Sequence, residues 1–94
     1  MAALDSEEVK RALITKLGCS EEKGHDHIRY VLRDGEKILS RTMISHGPRH
    51  TIRDTLIHKM ARQIQLGTNK NFFEMVSCTK SREECLEMIR AATR

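Results

Sequence analysis

The chain has no tryptophan, one tyrosine and two phenylalanines in 94 residues. Stacking of bases along an aromatic platform is therefore a poor explanation of any nucleic-acid role. There is one proline, Pro48, and the five glycines are scattered singly, so no linker or low-complexity tract divides the chain. The cysteines Cys19, Cys78 and Cys85 are odd in number and form no C-x-x-C pair. Their spacing matches neither a disulfide framework nor a zinc site. No apolar run approaches the roughly 20 residues of a membrane span, and no leader pattern is visible. A reduced, cytoplasmic protein with ordinary buried thiols and no membrane partner is expected.

Charge, by contrast, is plentiful. Lysines and arginines number 17 against 13 acids, a net charge of +4. Ten of the basic residues are arginines, whose planar fork fits phosphate oxygens. The excess points toward a polyanionic partner, although an ordinary solvated surface carries a similar one. Ninety-four residues with 38% apolar content make one domain, since a second core would be too small to stand alone.

Periodicity and caps order the chain as α-β-β-(β)-α-α-α. Asp5 with Glu8 reads as a capping box, Val9, Leu13 and Leu17 as the apolar face of a first helix, and Gly18 as its stop. Cys19 to Gly24 reads as a loop or a stub of strand. From His27 to Arg33 residues alternate, and Asp34-Gly35 is a hairpin signal of type I′. Without a bulge, Val31 pairs with Ile38, Arg29 with Ser40 and His27 with Thr42. Ile28, Tyr30, Leu32, Leu39 and Met43 then face the core, while His27, Arg29, Arg33, Ser40, Thr42 and His46 face water. Thr51 with Asp54 opens a helix with Ile52, Leu56, Met60 and Ile64 as its stripe, and Gly67 ends it. Thr68 caps a short helix, and Ser81 with Glu84 forms a further capping box. The apolar residues Phe72, Phe73, Val76, Leu86 and Ile89 make this tail an integral part of the fold.

Three chemistries compete. His25, Asp26 and His27 on a turn offer part of a metal site that His46 or His50 would complete. No H-x-x-x-H helical spacing supports it, so no metal and no cofactor is expected. A histidine beside arginines also suits metal-free RNA cleavage, in which the imidazole moves a proton and cations steady the phosphorane. A histidine at a strand start is equally an ordinary polar edge residue. A cysteine nucleophile has no histidine near it in sequence. The cations Arg53, Lys59 and Arg62 read as the solvent side of the long helix, or as a supplementary phosphate track.

The stretch Lys23-Gly24-His25-Asp26-His27-Ile28-Arg29-Tyr30 resembles the Lys-Gly-Ser-His-x-x-Tyr/Phe element of the HicA toxins, small members of toxin–antitoxin pairs. Ile44-Ser45-His46-Gly47 is similar to that family's Pro-x-His-Gly stretch, with Ile44 in place of the proline. Thr51-Ile52-Arg53-Asp54, with Leu56, resembles its Gly-Thr-Leu-Arg-x-Ile helix start. The likeness spans Val9 to Leu66; the acidic Cys19-Ser20-Glu21-Glu22 departs from the family's apolar first strand, and residues 68–94 have no counterpart in a minimal toxin.

The resemblance implies an α+β, double-stranded-RNA-binding-domain-like fold, with residues 5–66 as core and 68–94 as a helical extension of the same domain. It implies an RNA-binding protein acting as a metal-independent mRNA endoribonuclease. His27 would be its acid/base group, with Lys23, Arg29, Arg33 and His46 contacting RNA. An antitoxin partner follows from the same likeness. The alternative is a non-catalytic RNA-binding or protein-interaction module on the same scaffold, its tail covering the sheet or forming a homodimer.

Overall fold

The computed structural model describes residues 3–45 and 47–93. They form an α+β fold of two small antiparallel sheets and four helices. Strand β1 (Ala3–Asp5) leads into α1 (Ser6–Arg11), which continues as a π-helical stretch over Ala12–Lys16. There the Leu17 amide reaches the Ala12 carbonyl at 3.2 Å, five residues back. Gly18, at φ +80°, then turns the chain so that the Cys19 amide satisfies the Leu13 carbonyl at 2.9 Å. The three-stranded sheet follows, β2 (Ser20–Lys23), β3 (His27–Asp34) and β4 (Lys37–Ser45), in that spatial order. Strand β5 (Thr51–Arg53) pairs with β1, and α2 (Asp54–Gln63), α3 (Asn69–Val76) and α4 (Arg82–Thr93) complete the chain. No helix among the described residues is long and apolar enough to cross a membrane.

Two caps form as the spacing predicts. The Thr68 hydroxyl accepts from the Asn71 amide at 3.2 Å. Ser81 and Glu84 bond reciprocally, amide to side chain, both at 3.1 Å. Those reciprocal bonds hold the Glu84 carboxyl below its usual range. Asp5 does not cap α1. Its carboxylate is gripped by the Arg49 guanidinium at 2.8 and 2.6 Å, which ties β1 to the loop before β5. Thr51 does not open α2 either, because residues 51–53 are drawn into pairing with β1 and the helix begins at Asp54.

Cys19 to Gly24 is more than a loop, since Ser20–Lys23 forms a strand on the edge of β3. The hairpin loop is Gly35-Glu36 and not Asp34-Gly35, because Asp34 pairs with Lys37. Val31, Arg29 and His27 meet Arg41, Met43 and Ser45 and not Ile38, Ser40 and Thr42. Positive φ at Gly35 alone fits a type II′ turn and not type I′. The largest departure lies one step further along. Arg33 faces Ile38, but Leu32 faces Ser40, so Leu39 is an extra residue bulged out of the ladder. From there on every side chain of β4 lies on the face opposite to that expected from unbroken alternation. Ser40 and Thr42, expected outside, are 6% and 1% exposed, while Met43, expected in the core, is 42% exposed. Ile44 takes the inner place, opposite Ile28.

Against the inner face of the sheet lie Val9, Leu13, Leu17, Ile57, Met60 and Ile64, all buried. Leu56 is only half-buried, and the stripe of α2 is carried instead by Ile57, Met60, Ala61 and Ile64. Tyr30 is enclosed, with its hydroxyl donating to Glu21 at 2.8 Å. Phe72, Met75, Cys85 and Ile89 belong to the same core, so the tail is built into the domain. Among the described residues the buried Ser40 hydroxyl has no hydrogen-bond partner. Ser40→Ala should therefore leave stability unchanged or raise it by up to about 1 kcal/mol, read as a higher denaturant midpoint at constant m-value.

Candidate functional site

Folding the chain back at Gly24 brings His27 to the start of β3. The Gly24 amide donates to the His27 carbonyl at 2.9 Å, closing a tight turn in which His25 and Asp26 are exposed. A Cβ at position 24 would lie 2.9 Å from that carbonyl oxygen, closer than real Cβ contacts come. Glycine is thus required where backbone approaches backbone. Gly24→Ala should cost about 1–2 kcal/mol and displace His27, seen as a lowered melting temperature and shifted His27 imidazole resonances.

Along the outer face, His27 stands opposite Ser45 and Arg29 opposite Met43, while Arg41 sits diagonally from Arg29 across the bulge-shifted ladder. Two depressions meet here. A shallow cleft of about 470 Å3 is lined by Arg29, Arg41, Thr42, Met43 and Gln63. A hollow of about 80 Å3 is lined by His27, Met43, Ser45, Leu56, Lys59 and Gln63. Met43 and Gln63 belong to both, so the two form one groove beside β4, one of the two edge strands of the sheet. Leu56, Lys59 and Gln63 come from a single face of α2, at helical spacing of three and four. Thr42 fastens the helix to the strand by donating to the Gln63 carbonyl oxygen at 2.8 Å.

The electrostatics of the groove are one-sided. No acid is found among the described residues that line either depression. Among the described residues no ion pair engages Arg29, Arg41 or Lys59. Glu22 faces Arg29 across β2 and β3, but its carboxylate is drawn 3.3 Å from Arg33 instead. Arg29 and Arg41 are near neighbours of like sign on one sheet face, a repulsion that a bound anion relieves.

The sequence-derived residues are therefore separated by the fold. His27 and Arg29 share the groove. Arg33 stands four residues beyond Arg29 and six beyond His27 on β3, roughly 13 and 20 Å at the rise of an extended strand, with its guanidinium on Glu22 and Ser20. Lys23 is exposed at the end of β2, opposite Ile28. His46 lies outside the described residues.

Arg41, Lys59 and Gln63 complete the groove. Arg41 escaped the strand alternation because the bulge reverses its side, and Gln63 because only the seating of α2 against β4 brings it there. Lys59 gave a signal as one of the cations on the long helix.

Among the described residues no group of three His, Cys, Asp or Glu side chains is placed to hold an ion. The thiols are equally quiet. Burial pushes Cys19 up to about 12 and raises Cys85 as well, so neither presents a thiolate. Cys78, expected buried, is exposed in the turn after α3, at φ +66°. Comparison of the chain with protein-family models, with curated proteins and with solved structures finds no match.

Proposed function

We propose that this protein binds RNA through its phosphate backbone along the groove beside β4, on a double-stranded-RNA-binding-domain-like scaffold, as the HicA resemblance implies. One observation carries the reading: Arg29, Arg41 and Lys59 surround the His27 end of the sheet with no acid among the lining residues. The acid that faces Arg29 across the sheet, Glu22, is itself paired with Arg33, so the positive charge along the groove is left without a carboxylate among the described residues that line it. Three cations along one groove, free of ion pairs among the described residues, suit successive phosphates, and releasing condensed counterions drives such binding.

Cleavage is the fuller form of the reading. His27 would take the proton of a ribose 2′-hydroxyl as its oxygen attacks the adjacent phosphorus. Arg29 would steady the phosphorane, the bond to the 5′-oxygen would break as that oxygen takes a proton from water to leave as a 5′-hydroxyl, and a 2′,3′-cyclic phosphate would remain. Binding without cleavage is the second reading, and it too has an observation behind it. The exposed His27 ring makes no hydrogen bond to any described residue, so none of them fixes its tautomer.

The test is titration of labelled RNA at several salt concentrations, followed by incubation of the wild type and His27→Ala with the same strand. Affinity falling steeply with salt, and cleavage lost in His27→Ala while binding persists, is the expected result. Binding with no cleavage by the wild type selects the second reading. Affinity indifferent to salt removes both.

A further inference from the structure

We propose that the edge of β4 accepts an acidic, extended segment of a partner protein as an added antiparallel strand, paired along residues 41–45. This goes beyond the RNA-binding reading and does not depend on it, because it uses backbone groups that contacts to phosphate do not require. The added strand and RNA would draw on the same arginines and so exclude one another.

Which backbone groups point off the edge follows from the ladder. In an antiparallel sheet, successive residues turn their N–H and C=O groups to opposite neighbours. The His27 carbonyl accepts from the Gly24 amide at 2.9 Å, and the Val31 carbonyl accepts from the Ser20 hydroxyl at 3.3 Å, both on the β2 side. His27, Arg29 and Val31 therefore turn these groups to β2. Their opposites on β4 are Ser45, Met43 and Arg41. Those three, all exposed, turn their own amides and carbonyls away from β3, off a strand with no further neighbour in its sheet. Among the described residues no hydrogen bond reaches these six groups.

The other end of β4 is closed. Leu39 bulges from the ladder, and Arg90 and Thr93 of α4 lie beside it and Lys37. What stays open is a slot with β4 as one wall and Leu56, Lys59 and Gln63 of α2 as the other. A sheet edge can take an extended peptide as a further strand, with main-chain bonds supplying affinity and alternate side chains specificity.

Charge chooses the occupant. Arg29, Arg41 and Lys59 flank the slot with no carboxylate among the described lining residues, so two copies set edge to edge would bring like charges together. An acidic segment is drawn in instead. Residues opposed across an antiparallel pair share a face, so acids beside Arg29 and Arg41 belong at the positions whose amides bond to β4. The alternate positions, turned toward α2, suit β-branched side chains.

The probe is an acetylated and amidated octapeptide alternating glutamate and valine, with hydrogen exchange of the full chain followed by NMR. In the free protein the Arg41, Met43 and Ser45 amides should exchange rapidly, and those of Thr42 and Ile44 slowly. Peptide at roughly ten times its dissociation constant should slow the first three about tenfold, as mass action requires. N-methylation of the glutamate amides should abolish binding, whereas N-methylation of the valine amides should change it severalfold at most. Glutamine in place of the glutamates should weaken binding about tenfold or more at low salt. Slow exchange of Arg41, Met43 and Ser45 in the free protein would show an edge already paired, and overturns the proposal. Binding without protection of those amides overturns it too, as does equal sensitivity to the two methylation patterns. If single-stranded RNA binds at the groove and the peptide does not, the added strand falls and the RNA reading stands. Peptide binding with protection, in a protein that ignores RNA, leaves the reverse.

Discussion

A chain ending at Gly67 should fail to fold stably. Circular dichroism of that fragment should show no cooperative thermal transition near that of the full chain, and size exclusion should show expansion or aggregation. Phe72, Met75 and Ile89 are fully enclosed in the common core, and each contributes about 1.5–3 kcal/mol by leaving water. The whole margin of a small domain is only about 5–15 kcal/mol. Truncation also strips the cover from the residues against which the tail packs, and that exposed surface invites association. Phe72→Ala alone should cost about 3–5 kcal/mol by combining lost transfer energy with a cavity. A fragment melting cooperatively at the temperature of the full chain would show that the tail is merely laid against a self-sufficient core.

The second large effect concerns the groove. On the RNA-binding reading, Arg29→Glu with Arg41→Glu should reduce affinity for single-stranded RNA by roughly a hundredfold or more at low salt. It should also lower the slope of log affinity against log salt by about 0.7 for each phosphate that the variant no longer neutralises. Arg33→Glu, made at a guanidinium already held by Glu22 and remote from His27, should change affinity severalfold at most. Fluorescence anisotropy across a salt series reads both quantities in one experiment. Comparable losses from Arg33→Glu and the double reversal would place the RNA along the whole of β3 and not at the edge of β4.

Local chemistry made much of this structure legible beforehand. The Ser81–Glu84 box, the Thr68 cap and the Gly18 stop are decided within one turn of helix, and each is found where the spacing puts it. The hairpin around Gly35 is likewise a short-range event. What escaped depends on partners distant in sequence. Asp5 has a choice between a nearby amide and a guanidinium 44 residues away, and the charged partner wins. Thr51 is claimed by β1 before α2 can use it. The site shows the same division. His27 and Arg29 were readable because alternation on one strand places both outside. Gln63 required knowledge of how α2 meets β4, which no local pattern contains.

The bulge at Leu39 gives β4 one spare link. The ladder is regular on either side of it, with Arg33 opposite Ile38 and Leu32 opposite Ser40, so a strand one residue shorter reaches the same partners without it. Taking out Leu39 would therefore leave Ser40, Thr42 and Ile44 turned inward and Arg41 on the groove, and the loss would be confined to the burial of Leu39 itself. Lengthening the strand at the same place finds no such slack. An added residue must either swell the bulge or reverse everything after it, and reversal would drive the Arg41 guanidinium toward the core while exposing Thr42 and Ile44. The strand is thus asymmetric toward changes of length. It tolerates shortening at the bulge better than lengthening, although its composition alone shows no reason for a difference.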